Sequence, residues 1–331
     1  MDDRHKPVDQ PEGRAAHAPT ALQAQAGVAA ARRTIAVLGD VWTLRILRTI
    51  FRGKRRYGDF VKEFGVSRAV LTDRLGKLVE HGVLLRHAPD GSHPQYLLSE
   101  SGLDLWSLFL AMWLWEHDWG AAKDPDTWVP DLPRAAVLHV GCAQVMRPQL
   151  RCTFCQAALI PQQTALMAPV LPTTGVEPSM AAVLPVSAFR RARSVSGTGA
   201  GSGTRLIRII GDRWNSAVVG AAFRGTRTFS RFESELGIGP AQLSERLVEL
   251  QALGILQAES CADTRQGYRL SEAGLALFPM TLELMRWGNR WLLPPEQALL
   301  LRHLPCGEPL AARWHCGHCQ QALTRDAIRF T

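Results

Sequence analysis

The sequence predicts an α+β protein, mainly helical with small β-sheets, in which the same folded unit occurs twice. Apolar, glycine and tryptophan positions recur at a constant offset of 172 residues, as in Gly39-Asp40-x-Trp42 and Gly211-Asp212-x-Trp214. A His-x2-Cys-x9-Cys-x2-Cys pattern then follows each copy, over 139–155 and 303–319. Because a solenoid needs at least about three repeats, the pattern indicates a tandem duplication.

Composition limits the class of protein. The chain has 331 residues, is 46% hydrophobic and carries a formal net charge of +8, which suits a polyanionic partner. No apolar run approaches the ~20 residues that a membrane helix needs, and the N-terminus has no apolar signal core. We therefore expect a cytoplasmic location without membrane association, where thiols stay reduced and clustered cysteines favour metal binding.

The order of elements within each copy predicts the fold. Leu44, Leu47 and Phe51 have helical spacing, and 57–64 reads as a second short helix. Ser67 is a suitable N-cap for a third helix, which Gly82 closes. Two short strands flanking a Pro-Asp-Gly turn follow, and then a single long helix from 99 to 119. Three helices, a hairpin and a further helix predict a winged helix-turn-helix unit, whereas a generic helical domain would not repeat this order.

The repeats and a Pro- and Gly-rich stretch between them divide the chain into six segments. Both cysteine patterns are expected to form small modules similar to zinc ribbons. The predicted boundaries are a disordered tail at 1–30, winged helix-turn-helix domain 1 at 31–122, zinc module 1 at 123–160, a flexible linker at 161–204, winged helix-turn-helix domain 2 at 205–294 and zinc module 2 at 295–331.

Three motifs resemble those of the HxlR-type winged-helix transcriptional regulators. They are Gly39-Asp-x-Trp42, Leu71-Thr-x-Arg74-Leu75 and Tyr96-x-Leu98-Ser99-Glu100-x-Gly102, and the resemblance covers over half of the chain. It implies binding to double-stranded DNA. It also implies pairing through terminal helices, either between the two halves of one chain as a pseudo-dimer or between chains as a homodimer.

In a winged helix-turn-helix unit, the third helix leads into the major groove with its N-terminal residues. Side chains on its exposed face are candidates for base contacts, and neighbouring cations are candidates for phosphate contacts. The predicted DNA-binding residues are Lys54, Arg55, Arg56, Ser67, Arg68, Thr72, Asp73, Lys77, Arg86 and His87 in the first copy, and Gln242, Ser244 and Arg246 in the second. Arg74 fits a structural ion pair as well as a DNA contact.

The two copies differ in charge. Residues 39–82 contain ten Lys or Arg and five Asp or Glu, a net charge of +5, whereas residues 211–254 contain five of each. Glu245 and Glu249 are expected on the second recognition helix, where they would repel phosphates. Since affinity grows with the number of phosphates neutralised, the first unit is expected to supply most of the DNA affinity.

The cysteine patterns predict two structural Zn²⁺ sites, one within each copy, because three thiolates and one imidazole complete a tetrahedral site. Reduced core cysteines and a redox dithiol are the alternatives. His315 and His318 are alternative nitrogen donors to His303, and Cys261 is either a sensor thiol or incidental. The predicted ligands are His139, Cys142, Cys152 and Cys155 in the first copy, and His303, Cys306, Cys316 and Cys319 in the second.

The sequence thus favours a DNA-binding transcriptional regulator over an enzyme, because it has no Ser-His-Asp order, phosphate loop or dinucleotide fingerprint. A protein-interaction adaptor of the transcription machinery and a thiol-based redox sensor are the competing functions. The aromatic residues before the first cysteine pattern are expected either in the core and pairing interface or around a small-molecule effector; they are Trp106, Phe109, Trp113, Trp115 and Trp119.

Overall fold

The computed structural model describes residues 30–31, 33–88, 93–120, 136–167, 205–261, 264–295, 298 and 300–331. The predicted tail up to residue 29 and the linker from 168 onwards lie outside the described residues. The first copy contains a helix α1 at 33–38, then α2 (Val41–Phe51), α3 (Tyr57–Phe64), α4 (Arg68–Glu80), β1 (Leu84–His87), β2 (Gln95–Leu98), α5 (Glu100–Leu103) and α6 (Trp106–Trp119).

The second copy repeats this order. It contains α7 (Arg205–Ile210), α8 (Arg213–Phe223), α9 (Phe229–Leu236), α10 (Pro240–Ala252), β7 (Leu256–Cys261), β8 (Thr264–Leu270), α11 (Glu272–Leu275) and α12 (Phe278–Trp291). In each copy the two strands pair in antiparallel fashion and form the wing. The predicted fold, two helical units with small sheets, is therefore confirmed. No helix among the described residues is long and apolar enough to cross a membrane.

The helix predicted as continuous from 99 to 119 is in fact two helices. Ser99 caps α5 by accepting a hydrogen bond from the N–H of Gly102, and its hydroxyl also donates to the carbonyl of Val83. A Cβ on Gly102 would lie 2.3 Å from that same carbonyl oxygen, so α5 packs directly against the start of the wing. The chain then turns at Asp104 and Leu105 before α6 begins, and this allows α6 to leave the wing and reach the other copy.

Helices α6 and α12 pack against each other and join the two copies. Trp115 is buried, and its indole N–H donates to the carbonyl of Ala273 at 2.9 Å. At the equivalent position, the indole N–H of Trp287 donates to the carbonyl of Ser101 at 2.8 Å. Because these contacts are reciprocal, the copies are related by a local pseudo-twofold axis, as in an isologous dimer.

The two cysteine modules are interleaved. The first contributes β3 (Val137–His139), β4 (Gln144–Val145), β5 (Pro148–Cys152) and β6 (Thr164–Leu166), and the second contributes β9 (Leu301–His303), β10 (Ala312–Cys316) and β11 (Ile328–Phe330). Strand β5 pairs with β10, β3 with β11 and β6 with β9, all antiparallel and all between copies. The linker predicted to begin at 161 therefore starts too early, because β6 completes the sheet with β9.

Candidate functional site

Helix α4 presents the face predicted to read DNA. Ser67 caps it by accepting a hydrogen bond from the N–H of Val70 at 3.3 Å, and Leu71, Leu75 and Leu78 are buried. The apolar stripe therefore orients the opposite face toward solvent. The predicted residues of the first copy are all exposed: Lys54, Arg55, Arg56, Ser67, Arg68, Thr72, Asp73, Lys77, Arg86 and His87.

Tyr57, a residue that no signal in the sequence singled out, connects the start of α3 to the recognition helix α4. Its hydroxyl donates to the carbonyl of Arg68 at 3.1 Å and lies 3.2 Å from the hydroxyl of Thr72. The preceding loop bonds to the wing, where the N–H of Tyr96 donates to the carbonyl of Arg55 at 2.8 Å. Loop, recognition helix and wing are thereby held together, so their cations share one surface.

Charge on this surface is only partly neutralised within the protein. Lys77 pairs with Asp73 at 2.9 Å, and Lys54 pairs with Glu63 at 2.7 Å. The Lys77 hydrogen bond, with the nearby charges of Lys77 and Arg74, lowers the pKa of Asp73 against the opposing effect of burial. Asp73 therefore remains an anion bound to its neighbours, whereas Arg55, Arg56 and Arg68 form no ion pair within the described part of the chain.

Two of the repeated motifs, Gly-Asp-x-Trp and the one that contains Arg74, contact each other in the folded unit. Asp40 caps α2 through the N–H groups of Trp42 and Thr43, and its carboxylate also lies 3.1 Å from Nε of Arg74. In the second copy, Asp212 caps α8 and lies 3.3 Å from Arg246. The Gly-Asp-x-Trp motif thus ties α2 to the recognition helix α4 in the first copy, and α8 to α10 in the second.

Arg246, which the sequence predicts to contact DNA, is engaged in this arrangement within the second copy. Its guanidinium pairs with Asp212 and, at 3.2 Å, with Glu249, and its side chain is 18% exposed. Of the other residues predicted on the second recognition helix α10, Gln242 is half-buried and Ser244 is exposed.

Glu249 also lies elsewhere than predicted. It points inward, accepting hydrogen bonds from Arg208 at 2.9 Å and Asn215 at 3.1 Å, so it does not face an approaching phosphate. Burial opposes its ionisation, but the hydrogen bonds from Asn215 and Arg208 outweigh burial and lower its pKa. Glu245 remains exposed, as predicted.

We expect the Glu249→Gln variant to be less stable than the wild type at neutral pH. A lowered pKa in the folded state stabilises the fold above the unfolded pKa of about 4.3, and this contribution is lost as the pH falls below it. The difference in unfolding free energy should therefore shrink on acidification, which denaturant titrations at pH 7 and pH 3.5 would measure. A difference that is constant with pH would show that the carboxylate charge is not involved.

The metal-ligand side chains meet in two clusters, and each cluster takes two residues from each copy. One cluster contains His139, Cys142, Cys316 and Cys319. The other contains Cys152, Cys155, His303 and Cys306, and within each cluster all ligand atoms lie within 4.8 Å of one another.

The prediction that each copy forms its own complete site is therefore wrong. Strand β5 carries Cys152 away from Cys142, since five extended residues span about 13 Å. A single ion cannot bridge that distance. Strand β10 separates Cys306 from Cys316 in the same way, and the antiparallel pairing of β5 with β10 brings the opposite ends together.

Distances within the clusters suit tetrahedral coordination. His139 Nδ1 lies 3.2 Å from Cys142 Sγ and 3.3 Å from Cys319 Sγ. In the other cluster, His303 Nδ1 lies 3.4 Å from both Cys155 Sγ and Cys306 Sγ. Cys142 Sγ lies 3.9 Å from Cys316 Sγ, and Cys152 Sγ lies 3.9 Å from Cys306 Sγ. With Zn–S bonds of about 2.3 Å and Zn–N bonds of about 2.0 Å, a tetrahedron has edges of about 3.8 Å between two sulfurs and about 3.5 Å between sulfur and nitrogen, so an ion fits between these atoms.

The backbone around the clusters supports anionic sulfur. The residue that follows each ligand pair has a positive φ, and these residues are Ala143, Gln156, Gly307 and Gln320. Burial opposes ionisation of Cys152, yet backbone N–H groups of Cys155 and Phe154 point at its sulfur and lower its pKa. Cys316 has the same environment. One thiol in each cluster, two of the six in all, therefore favours the thiolate, the form that binds metal. Burial and the neighbouring thiols raise the pKa of Cys142, and against a backbone hydrogen bond from Glu308 they also raise the pKa of Cys306.

The alternative nitrogen donors lie outside both clusters. Nδ1 of His315 is 3.1 Å from the carbonyl of Arg313. His318 is an exposed residue of the loop between Cys316 and Cys319. Both histidine ligands are instead the buried residues His139 and His303. Four protein donors surround each position, which is the arrangement of a structural site rather than a catalytic one.

The predicted aromatic helix lies mainly in the core. Trp113 and Trp115 are buried, while Trp106, Phe109 and Trp119 pack against the core and are half-buried. The prediction of a core and pairing interface is borne out for Trp115, which contacts the other copy. Cys261 is the last residue of β7.

Comparison with known proteins assigns the repeated unit. The model of the HxlR-like helix-turn-helix family matches residues 37–124 and 209–296, which leaves both cysteine modules outside the match. The chain is 38% identical over 123 residues to an uncharacterised HTH-type transcriptional regulator, MT3179, of Mycobacterium tuberculosis, covering 36% of this chain and 78% of the relative. It is 31% identical to the uncharacterised HTH-type transcriptional regulator YvaP of Bacillus subtilis, covering 27% and 86%.

Among solved structures, PA1607, described as a putative transcription factor, matches with a TM-score of 0.35 and 28% identity, covering 38% of this chain and 89% of that one. The family model matches over half of the chain, and it does so twice at the spacing of the duplication. This protein therefore belongs to the HxlR-like helix-turn-helix family of transcriptional regulators.

Proposed function

We propose that this protein is a sequence-specific DNA-binding regulator in which the first winged-helix unit supplies most of the DNA affinity. The observation that carries the proposal is the surface formed by Arg55, Arg56 and Arg68. These cations come from the loop before α3 and from the start of α4, are exposed, and have no carboxylate partner among the described residues. A cation without an internal partner is free to neutralise a phosphate.

The second unit lacks this surface. The residues equivalent to Arg56, Arg68 and Lys77 are Thr228, Pro240 and Glu249. Among the described residues at the second reading face, Arg246 is engaged in an internal ion pair and Arg227 lies 3.9 Å from Glu259. Fewer phosphates would therefore be neutralised by α10 and its wing, and its contribution to affinity would be smaller.

The proposed metal is zinc, bound at both four-residue clusters as a structural ion. Zinc prefers thiolate and imidazole donors in a closed tetrahedral set, and the donor sets here have that composition. Each ion would join one copy to the other. Zinc would thus hold the two winged-helix units in a fixed relative position, and within that pseudo-dimer no second chain is needed to pair the units.

Binding of the full-length, zinc-replete chain to duplex DNA as a function of salt tests the proposal. We expect a linear fall of log affinity with log salt concentration, with a slope of about −0.9 for each phosphate contacted. Absent or salt-insensitive binding would overturn the proposal. It would favour the adaptor function, in which the same surface contacts a protein of the transcription machinery.

A further inference from the structure

The joint between the two copies is symmetric in one pair of tryptophan hydrogen bonds but not in its other polar side chains. The reciprocal hydrogen bonds of Trp115 and Trp287 define a pseudo-twofold axis. On one side of that axis lies a polar cluster that spans the copies. Its members are Asp104 and Ser107 from the first copy, and Glu283, Arg286, Trp291 and Trp314 from the second.

The polar cluster is well connected. Arg286 donates to both carboxylate oxygens of Asp104, at 3.1 and 2.9 Å, and to Glu283 at 2.7 Å. The indole N–H of Trp291 also donates to Asp104, at 2.8 Å. Glu283, whose side chain is 4% exposed, accepts from the hydroxyl of Ser107 at 2.7 Å. A buried carboxylate is costly unless it is hydrogen-bonded, so loss of any of these donors would destabilise the charged form of Asp104 or Glu283.

The other side of the axis has an apolar set at the equivalent positions. The offset of 172 relates Asp104 to Ala276, Ser107 to Pro279, Ala111 to Glu283, and Leu114 to Arg286. The two copies therefore differ at the residues through which they contact each other.

This difference distinguishes correct from incorrect pairing. If two first copies paired, Asp104 would face Leu114, and a carboxylate that is 16% exposed would lose its cation. If two second copies paired, Arg286 would face Ala276, and Trp291 would lose its acceptor. The metal clusters alone would not discriminate, since either copy supplies both a His-x2-Cys and a Cys-x2-Cys half. The polar cluster thus selects the pairing of unlike copies.

The reading faces that this pairing presents also differ. On α4 the exposed positions include Arg68, Thr72 and Gly76, whereas the equivalent positions on α10 are Pro240, Ser244 and Val248. Val248 is 62% exposed, so α10 presents an apolar side chain at the position where α4 has the glycine Gly76. Two such helices cannot read the same bases.

We infer that the DNA site of this protein is a non-palindromic duplex, bound by one chain in one orientation, with most base contacts at the end that α4 occupies. The inference rests on the proposed DNA-binding function and specifies its target. Homodimeric helix-turn-helix proteins mirror their twofold symmetry in palindromic operators. Here the symmetry is broken at the joint and at both reading faces, and the site is expected to lack symmetry as well.

Selection of sequences from a random 30-base-pair duplex pool by the full-length, zinc-replete chain tests the inference, together with native mass spectrometry of the selected complex. We expect a non-palindromic consensus and one chain per duplex. A palindromic consensus or two chains per duplex would overturn the inference and leave the proposed function intact. Failure to enrich any duplex would instead overturn the proposed function, and the inference with it.

The equivalent substitutions Thr72→Ala and Ser244→Ala test the orientation. Thr72→Ala is expected to weaken base preference by about fivefold at one end of the selected site and to change the other end by less than about twofold. Ser244→Ala is expected to leave the end affected by Thr72→Ala unchanged. Equal effects of both variants at both ends would indicate two interchangeable orientations and would overturn the inference. Circular dichroism and zinc content of each variant check that the fold is retained.

Discussion

Replacing Cys142 and Cys319 together with serine is expected to leave the protein with one of its two zinc ions. Both residues belong to the same cluster, so the cluster of Cys152, Cys155, His303 and Cys306 remains complete. Zinc per chain is measured by plasma mass spectrometry after dialysis against a competing chelator.

The matched control replaces the same number of cysteines of the same kind. Cys142→Ser with Cys155→Ser removes one thiolate from each cluster, and we expect both zinc ions to be lost. If each copy instead held its own ion, the result would be reversed, because Cys142 and Cys155 would then be ligands of one ion. One pair of variants thus separates the two arrangements, and the reversed order would contradict the composite sites.

The same pair of variants should differ strongly in stability. A structural zinc ion contributes on the order of 10–16 kcal/mol of apparent binding free energy at pH 7, much of it as folding free energy. With both ions lost, no metal coordination supports the β5–β10 and β3–β11 strand pairings between the copies. We expect the variant without zinc to unfold at a lower temperature than the variant with one ion, in the same thermal scan.

Replacing Arg55, Arg56 and Arg68 with alanine is expected to weaken binding to duplex DNA by about 10²–10³-fold near 0.1 M salt. Each lost phosphate contact removes about 0.9 from the salt slope, which near 0.1 M corresponds to about eightfold in affinity. The three side chains are exposed and make no ion pair within the described residues, so the fold should be preserved. Fluorescence anisotropy with a labelled duplex at several salt concentrations measures both quantities.

The control removes the same charge from a different surface. Arg302, Arg313 and Arg329 are exposed and lie on the strands of the second cysteine module. Their joint replacement with alanine lowers the net charge equally, and we expect less than about threefold loss of affinity from this general effect. Equal losses in the two triple variants would show that overall charge, rather than the α4 surface, governs binding.

The elements of the winged-helix units were predictable because their signals are local. The Ser67 cap and the Leu71, Leu75 and Leu78 stripe need only neighbours within a few turns to specify a helix and its buried face. The break at Asp104 was missed because it depends on Gly102 packing against the wing, a contact between segments distant in sequence.

The candidate sites were likewise predictable where the signal is local and not where it depends on contacts between distant segments. All eight His and Cys residues of the two clusters were predicted from their spacing, since that pattern is present in the sequence whichever partner completes the cluster. Which four share an ion was not recognisable, because the answer depends on strand β5 being extended and on its pairing with β10. The internal ion pairs of Arg246 and Glu249 were likewise not predictable, since a helical wheel does not show their partners Asp212 and Arg208.

The sequence by itself determined the duplication, the winged-helix order of elements, the charge difference between the copies and which His and Cys residues form the two clusters. These properties follow from residue type and from spacing along one chain. Only the tertiary structure decided that the copies pack on each other through α6 and α12, that each His/Cys cluster is shared, and that the polar cluster of Asp104 and Arg286 occurs on one side of the joint alone. Those properties arise between residues 148 or more positions apart, and no local periodicity records them.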